Sequence, residues 1–159
     1  MKELKVGIVG LGWVAGAHIE TYKSIPGVKV AAICDVRPID AAEVQARFGI
    51  PVRVTGDFAS LLADPEIDII NICTPNKFHR EQAVQAAAAG KHVFIEKPIA
   101  LTLADAKAIR DAIHGARVKA CVGVEWRCSK QFSMRKCLLD GGLLGELHYG
   151  AIDYYHGIG

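Results

Sequence analysis

The sequence predicts an α/β fold: a doubly wound parallel sheet, followed by the first helix and strand of an incomplete second α+β domain. Three observations predict it. Short apolar runs bounded by turn residues recur along the chain and alternate with helix-like segments. A tight glycine turn, Gly10-Leu11-Gly12, leads from the first of these runs straight into a helix. Beyond residue 125 the alternation stops, which divides the chain into a domain over 1–125 and the opening of another over 126–159.

Taken in order, residues 4–9 (LKVGIV) read as a buried strand, and 13–25 as a helix closed by the turn pair Pro26-Gly27. Residues 28–34 (VKVAAIC) form a second strand. A helix over 39–48, stopped by Gly49 and Pro51, leads to a short third strand over 52–55. Asp57 can cap a short helix over 58–63, because its carboxylate can accept from amides one turn on. A fourth strand spans 68–73 (DIINIC). Asn76 can then cap an alanine-rich helix that ends at Gly90. A fifth strand over 91–95 (KHVFI) runs into Glu96-Lys97-Pro98. Thr102 and Asp105 resemble a capping box for a helix to about residue 114. Residues 118–124 make the sixth strand. In the tail, 130–140 suits a helix ended by Gly141-Gly142, and 146–155 (ELHYGAIDYY) reads as a strand.

Composition narrows the function classes. With 159 residues, 51% apolar and 23% charged, the chain suits a folded domain rather than disorder. Nineteen basic against 17 acidic side chains leave a formal charge of +2, no general case for nucleic acid or an anionic membrane. The first residues lack the apolar stretch of a secretion signal, and no apolar run reaches membrane-spanning length. Five cysteines show neither metal-ligand spacing nor a disulfide framework, which suits reduced, buried thiols in the cytoplasm. No cluster of His, Cys, Asp or Glu points to a metal.

The chemistry begins at Gly10-x-Gly12-x-x-Ala15. Glycine lets backbone amides come close to a ligand, and the following helix N-terminus carries unpaired N–H groups and partial positive charge suited to a pyrophosphate. Trp13 and Val14 stand at that N-terminus, and Ala15 is the small residue that lets helix pack on strand. The second strand ends in Asp35, about 20 residues on, where a dinucleotide-binding unit places the acid that accepts from the ribose diol. Its charge would repel a 2′-phosphate and so favours NAD. Arg37, able to hold a phosphate or stack on adenine, leaves NADP possible. Alternatively Asp35 only caps the turn before Pro38.

Four motifs then carry a resemblance: Gly10-x-Gly12-x-x-Ala15-x-x-His18, Thr74-Pro75-Asn76-x-x-His79, Glu96-Lys97-Pro98, and Trp126-Arg127 after the sixth strand. The chain resembles the glucose–fructose oxidoreductase / inositol dehydrogenase (Gfo/Idh/MocA) family of NAD(P)-dependent enzymes, and the tail from Gly142 looks like that family's entry into its second domain. The resemblance implies hydride transfer between nicotinamide and a sugar- or cyclitol-like hydroxyl, a small polyol substrate and a homo-oligomer. It implies that Lys97, in a cis Lys97-Pro98 turn, reaches the nicotinamide and polarises the reacting oxygen, with Glu96 orienting it or tuning its pKa. Ala15 stands where glycine is commoner, and the family's substrate domain is absent from these 159 residues. A dinucleotide-binding module without catalysis is therefore the alternative, and the 159 residues alone are expected to bind cofactor without turning over a polyol.

Several residues keep two readings. Thr74, Pro75 and Asn76 can lie beside the pyrophosphate and ribose, or serve only as turn and helix cap. His79 can touch the cofactor or be an ordinary helix histidine. Trp126 and Arg127 can border the nicotinamide, or Trp126 can plug the gap between two domains. His18 reads as structural, because no carboxylate stands at a fixed spacing from it. Tyr154, Tyr155 and His156 can approach substrate.

Overall fold

A computed structural model describes residues 2–151 and 153. Its contacts divide the chain into two compact units, Met1–Gly123 and Val124–Gly159. The first unit holds β1 (Leu4–Val9), α1 (Trp13–Lys23), β2 (Val28–Cys34), α2 (Ala41–Phe48), β3 (Arg53–Thr55), α3 (Phe58–Ala63), β4 (Ile69–Ile72), α4 (His79–Ala88), β5 (His92–Ile95), α5 (Leu103–Ala116) and β6 (Ala120–Val122). All neighbouring strands are parallel, in the order β3-β2-β1-β4-β5-β6. The order reverses at β1/β4, so a crevice opens there beyond the strands' carboxyl ends.

The sheet is wound on both sides. One apolar cluster (Val6, Ile8, Ala15, Ile19, Val30, Ile33, Val44, Phe48, Cys73) lies between the sheet and the pair α1 and α2. The other gathers Leu61, Ile70, Ile72, Ala83, Ala86, Ala87, Val93, Ile95, Ile109 and Ile113 beneath α3, α4 and α5. Ala15 is fully buried, as a third small position requires where helix meets strand. In α4, alanines at 83, 86 and 87 bring helix and sheet close, and larger side chains would hold them apart.

Caps follow the local chemistry with one exception. Asp40 accepts from the Ala42 N–H at the head of α2, and Asp57 from the Ala59 and Ser60 N–H groups at the head of α3. The Thr102 hydroxyl accepts from the Asp105 N–H and donates to its carboxylate, which ties the head of α5. Asn76 does not cap α4. It opens a 3-10 turn, Asn76–Phe78, that inserts between the Pro75 bend and α4, so the helix starts two residues later than an Asn76 cap would start it. The Lys97-Pro98 peptide bond is cis.

The second unit contains a 3-10 turn, Glu125–Cys128, and α6 (Lys130–Asp140), capped by Ser129, whose hydroxyl accepts from the Phe132 N–H. The strand expected over 146–155 does not form among the described residues. Residues 146–151 and Asp153 join no ladder, and an extended segment becomes a strand only when a neighbour takes its backbone bonds. Tyr154, Tyr155 and His156 lie outside the described residues. The expectation of buried thiols holds for Cys34 and Cys73. Cys121, Cys128 and Cys137 are exposed: Cys121 sits on an edge strand, and the other two belong to the second unit, in which α6 buries no residue.

Candidate cofactor site

A cleft of about 560 Å³ opens where β1, β2 and β4 end. Gly10 and Gly12 form one wall, Asp35, Val36 and Arg37 a second, and Thr74, Pro75, Phe78 and Gln82 a third; Gly56 and Phe58 close it from the β3 side. Gly10 adopts φ +87°, and a Cβ there would stand 3.0 Å from the Cys73 carbonyl group and from Thr74 Cγ2. Only glycine allows this turn against the end of β4. Gly12 N-caps α1 with no side-chain cap bond, and a Cβ on it would meet nothing within 4 Å. The first turn of α1 therefore faces open space with its amides uncapped, which suits an anionic pyrophosphate.

Asp35 is 7% exposed. Its Oδ2 accepts from the Leu11 N–H at 2.8 Å and from Arg37 Nη2 at 2.7 Å. Its Oδ1 accepts from the Arg37 N–H at 2.9 Å and from Arg37 Nε at 3.0 Å. The Arg37 guanidinium, then the Arg37 and Leu11 backbone N–H groups, hold the carboxyl well below its ordinary range, against the opposing effect of burial. A depressed pKa stabilises the fold fully above the ordinary carboxylate range, and the contribution is lost as pH falls below it. Urea unfolding at pH 7 and at about pH 3 should show the native protein losing more stability between the two than Asp35→Asn; equal losses would mean the pair is absent in solution. The bidentate pair also means that ribose hydroxyls reaching Asp35 must displace part of Arg37's grip.

The structure thus brings Gly10, Gly12, Asp35, Arg37, Thr74 and Pro75 together around one cleft. Trp13 is 92% exposed on the first turn of α1, Val14 is half-buried beside it, and Asn76 stands just outside the lining. Thr74 Oγ1 donates to Gln82 Oε1 at 2.6 Å, fixing the loop after β4. His79 is fully buried, with Nδ1 2.9 Å from the Pro98 carbonyl oxygen and Nε2 2.9 Å from the Thr74 carbonyl oxygen. Its ring spans the loops after β4 and β5.

Glu96 is buried too, and its carboxylate is engaged within the protein. Oε1 lies 2.7 Å from His18 Nε2, and Oε2 accepts from the Lys97 N–H at 3.2 Å. Lys97 stands exposed beyond the end of β5. Burial pushes the Cys73 thiol up to about 12, with the Glu96 charge adding to it, so this sulfur stays protonated and unreactive. Trp126 and Arg127 lie in the second unit, where the Trp126 ring meets Phe132 edge-on with centroids 5.1 Å apart. Val36, Gly56, Phe58, Phe78 and Gln82 escaped the sequence reading. Of these only Phe78 carries a signal, inside Thr74-Pro75-Asn76-x-x-His79. Among the described residues no group of His, Cys, Asp or Glu could hold a metal, and no helix is long and apolar enough to cross a membrane.

Residues 4–124 match the model of the Gfo/Idh/MocA oxidoreductase family, described as an NAD-binding Rossmann fold. The chain belongs to that family. Among curated Gfo/Idh/MocA relatives, levoglucosan dehydrogenase of Pseudarthrobacter phenanthrenivorans is 34% identical over 155 residues, covering 92% of this chain and 40% of its own. Myo-inositol 2-dehydrogenase of Thermotoga maritima is 31% identical, covering 91% and 43%. A solved structure of scyllo-inositol dehydrogenase from Lactobacillus casei with NAD(H) and scyllo-inositol superimposes with a TM-score of 0.79 at 31% identity, covering 91% and 43%. The chain thus spans less than half the length of the family members it matches. What it shares with them is the cofactor-binding part, and relatives of this part are seen with NAD(H) bound.

Proposed function

We propose that this chain is the NAD-binding portion of a dehydrogenase acting on a sugar- or cyclitol-like hydroxyl, and that residues 126–159 open a second domain. The observation that carries the reading is the placement of Asp35: a buried carboxylate at the end of β2, bonded to the Leu11 N–H of the glycine turn and lining the same cleft as Gly10 and Gly12. The residues fit a dinucleotide. Gly10, Gly12 and the head of α1 would hold the pyrophosphate, Asp35 the adenine ribose, and Phe58, Pro75 and Phe78 offer apolar walls for adenine. Asn76, Trp13 and Val14 would border the same ligand.

The other nucleotide half belongs over β4, β5 and β6, since the adenosine side occupies β1, β2 and β3. Lys97 stands at that end. When bound, the nicotinamide supplies the hydride acceptor or donor. The Lys97 ammonium polarises the substrate oxygen and favours its proton loss, while Glu96 holds the Lys97 backbone. The reading extends to a cytoplasmic setting and a homo-oligomeric enzyme, with NADP as an alternative cofactor.

Cofactor choice tests it. NAD should bind more tightly than NADP by about tenfold or more, and Asp35→Ser should close or reverse that gap, because it removes the charge facing a 2′-phosphate and leaves Arg37 free to hold one. Calorimetric titration of both cofactors into both proteins reads it. Equal affinities in the unsubstituted protein would remove Asp35 from the ribose.

A further inference from the structure

His18 has no part in that reading, yet its ring meets the Glu96 carboxylate, next to Lys97, at 2.7 Å. We infer that His18 and Glu96 form a positioning pair that fixes the Lys97 turn relative to the pyrophosphate-binding helix; the inference rests on the NAD-binding reading. The pair joins residues 78 apart in sequence, His18 on the second turn of α1 and Glu96 at the end of β5. A carboxylate oxygen can only accept, so at 2.7 Å from Glu96 Oε1 it is His18 Nε2 that carries the hydrogen. The site is built around this contact. The Phe94 ring meets the His18 ring edge-on, centroids 5.1 Å apart, and limits how it can turn. Gly123, after β6, leaves the carboxylate its room: a Cβ there would stand 2.8 Å from Glu96 Oε1 and 3.2 Å from the Phe94 ring.

The consequence runs through the second oxygen. Glu96 Oε2 accepts from the Lys97 N–H, and the Glu96 N–H is bound to the Ile72 carbonyl in the sheet. With its backbone held by β4 and its carboxylate held by α1, Glu96 has little freedom, and Lys97 inherits the constraint. A buried carboxylate stripped of its partner would turn toward water or toward another donor, taking the Lys97 N–H with it. Among the described residues, no side chain lining the cleft around Asp35 hydrogen-bonds to His18, to Glu96 or to the Lys97 N–H, so the pair should act on one half of the dinucleotide only.

That asymmetry gives the test. ADP-ribose carries the adenosine, pyrophosphate and second ribose but no nicotinamide. Titrating NAD and ADP-ribose into the unsubstituted protein should give tighter NAD binding. His18→Leu should lower NAD affinity about tenfold and leave ADP-ribose within about twofold. His18→Gln, whose amide can place a donor near the Nε2 position, should restore most of the difference. Gly123→Ala, which leaves His18 intact but displaces the carboxylate, should reproduce the His18→Leu pattern and carries the test if His18→Leu does not fold. An NAD-to-ADP-ribose ratio unchanged by these substitutions, even with both affinities reduced, would show a merely structural contact and overturn the inference alone. So would equal affinity for the two ligands in the unsubstituted protein. Failure to bind either ligand would sink the NAD-binding reading together with it.

Discussion

Gly10→Ala is expected to abolish most cofactor binding while the chain still folds. The new Cβ meets the Cys73 carbonyl group and Thr74 Cγ2 at 3.0 Å, and the residue must still hold φ +87°. The left-handed conformation alone costs about 1–3 kcal/mol for a residue with a side chain. Relief comes by moving the turn away from β4, which shifts the amides at the head of α1 out of register with the cleft. NAD affinity should fall by about 100-fold or more, close to 3 kcal/mol. Gly27→Ala is the control. Gly27 has φ +79° but no atom within 4 Å of its would-be Cβ, and it lies at the opposite end of the sheet, between α1 and β2. It should lose a similar amount of stability and keep its affinity for NAD. Thermal unfolding and calorimetry on both variants separate strain from site damage; parallel losses of affinity would mean the glycine turn does not touch the cofactor.

His79→Leu should be among the most destabilising single substitutions in the first unit. Leucine fills a comparable volume but leaves the Pro98 and Thr74 carbonyl oxygens, now each 2.9 Å from a ring nitrogen, facing a hydrocarbon. A neutral imidazole carries one N–H and donates to one of the two, and a buried acceptor left without its donor costs about 1–3 kcal/mol, so a loss of about that size is expected in urea unfolding. His114→Leu, on the exposed last turn of α5, should stay within about 0.5 kcal/mol. A His79→Leu protein as stable as the unsubstituted chain would mean that the ring does not brace the two loops.

Most of the fold was legible because its signals are local. Apart from β3, each strand of the sheet is a short, mainly apolar run, and alternation with helices leaves few arrangements other than a parallel doubly wound sheet. Asp57 and Thr102 were readable as caps for the same reason: the acceptor and the amide it serves are two or three residues apart. Asn76 misled because Pro75 imposes an extended bend, and the chain relaxes through a 3-10 turn before α4 begins. The expected strand over 146–155 failed on a different ground. A strand is a property of two segments, and no partner meets this one among the described residues.

In the candidate site, the glycine turn and Asp35 were visible through their spacing. What Asp35 touches was not, since the Arg37 side chain could have pointed anywhere. His79 shows the limit most clearly. The motif drew the eye to it, but burial beneath two loops depends on where β4 and β5 end in space. His18 and Glu96, 78 residues apart, had no sequence signal that they would meet. Phe58 and Gln82 reach the cleft only because α3 and α4 lie on the same side of the sheet.

The central claim, that the crevice lined by the Gly10-Gly12 turn and Asp35 is a dinucleotide site, is tested most directly by titrating NAD into the purified chain with calorimetric detection. A single saturable site with affinity in the micromolar to low millimolar range, about −4 to −8 kcal/mol, is the expected result. A folded chain that takes up no heat from NAD up to several times about 1 mM would contradict it.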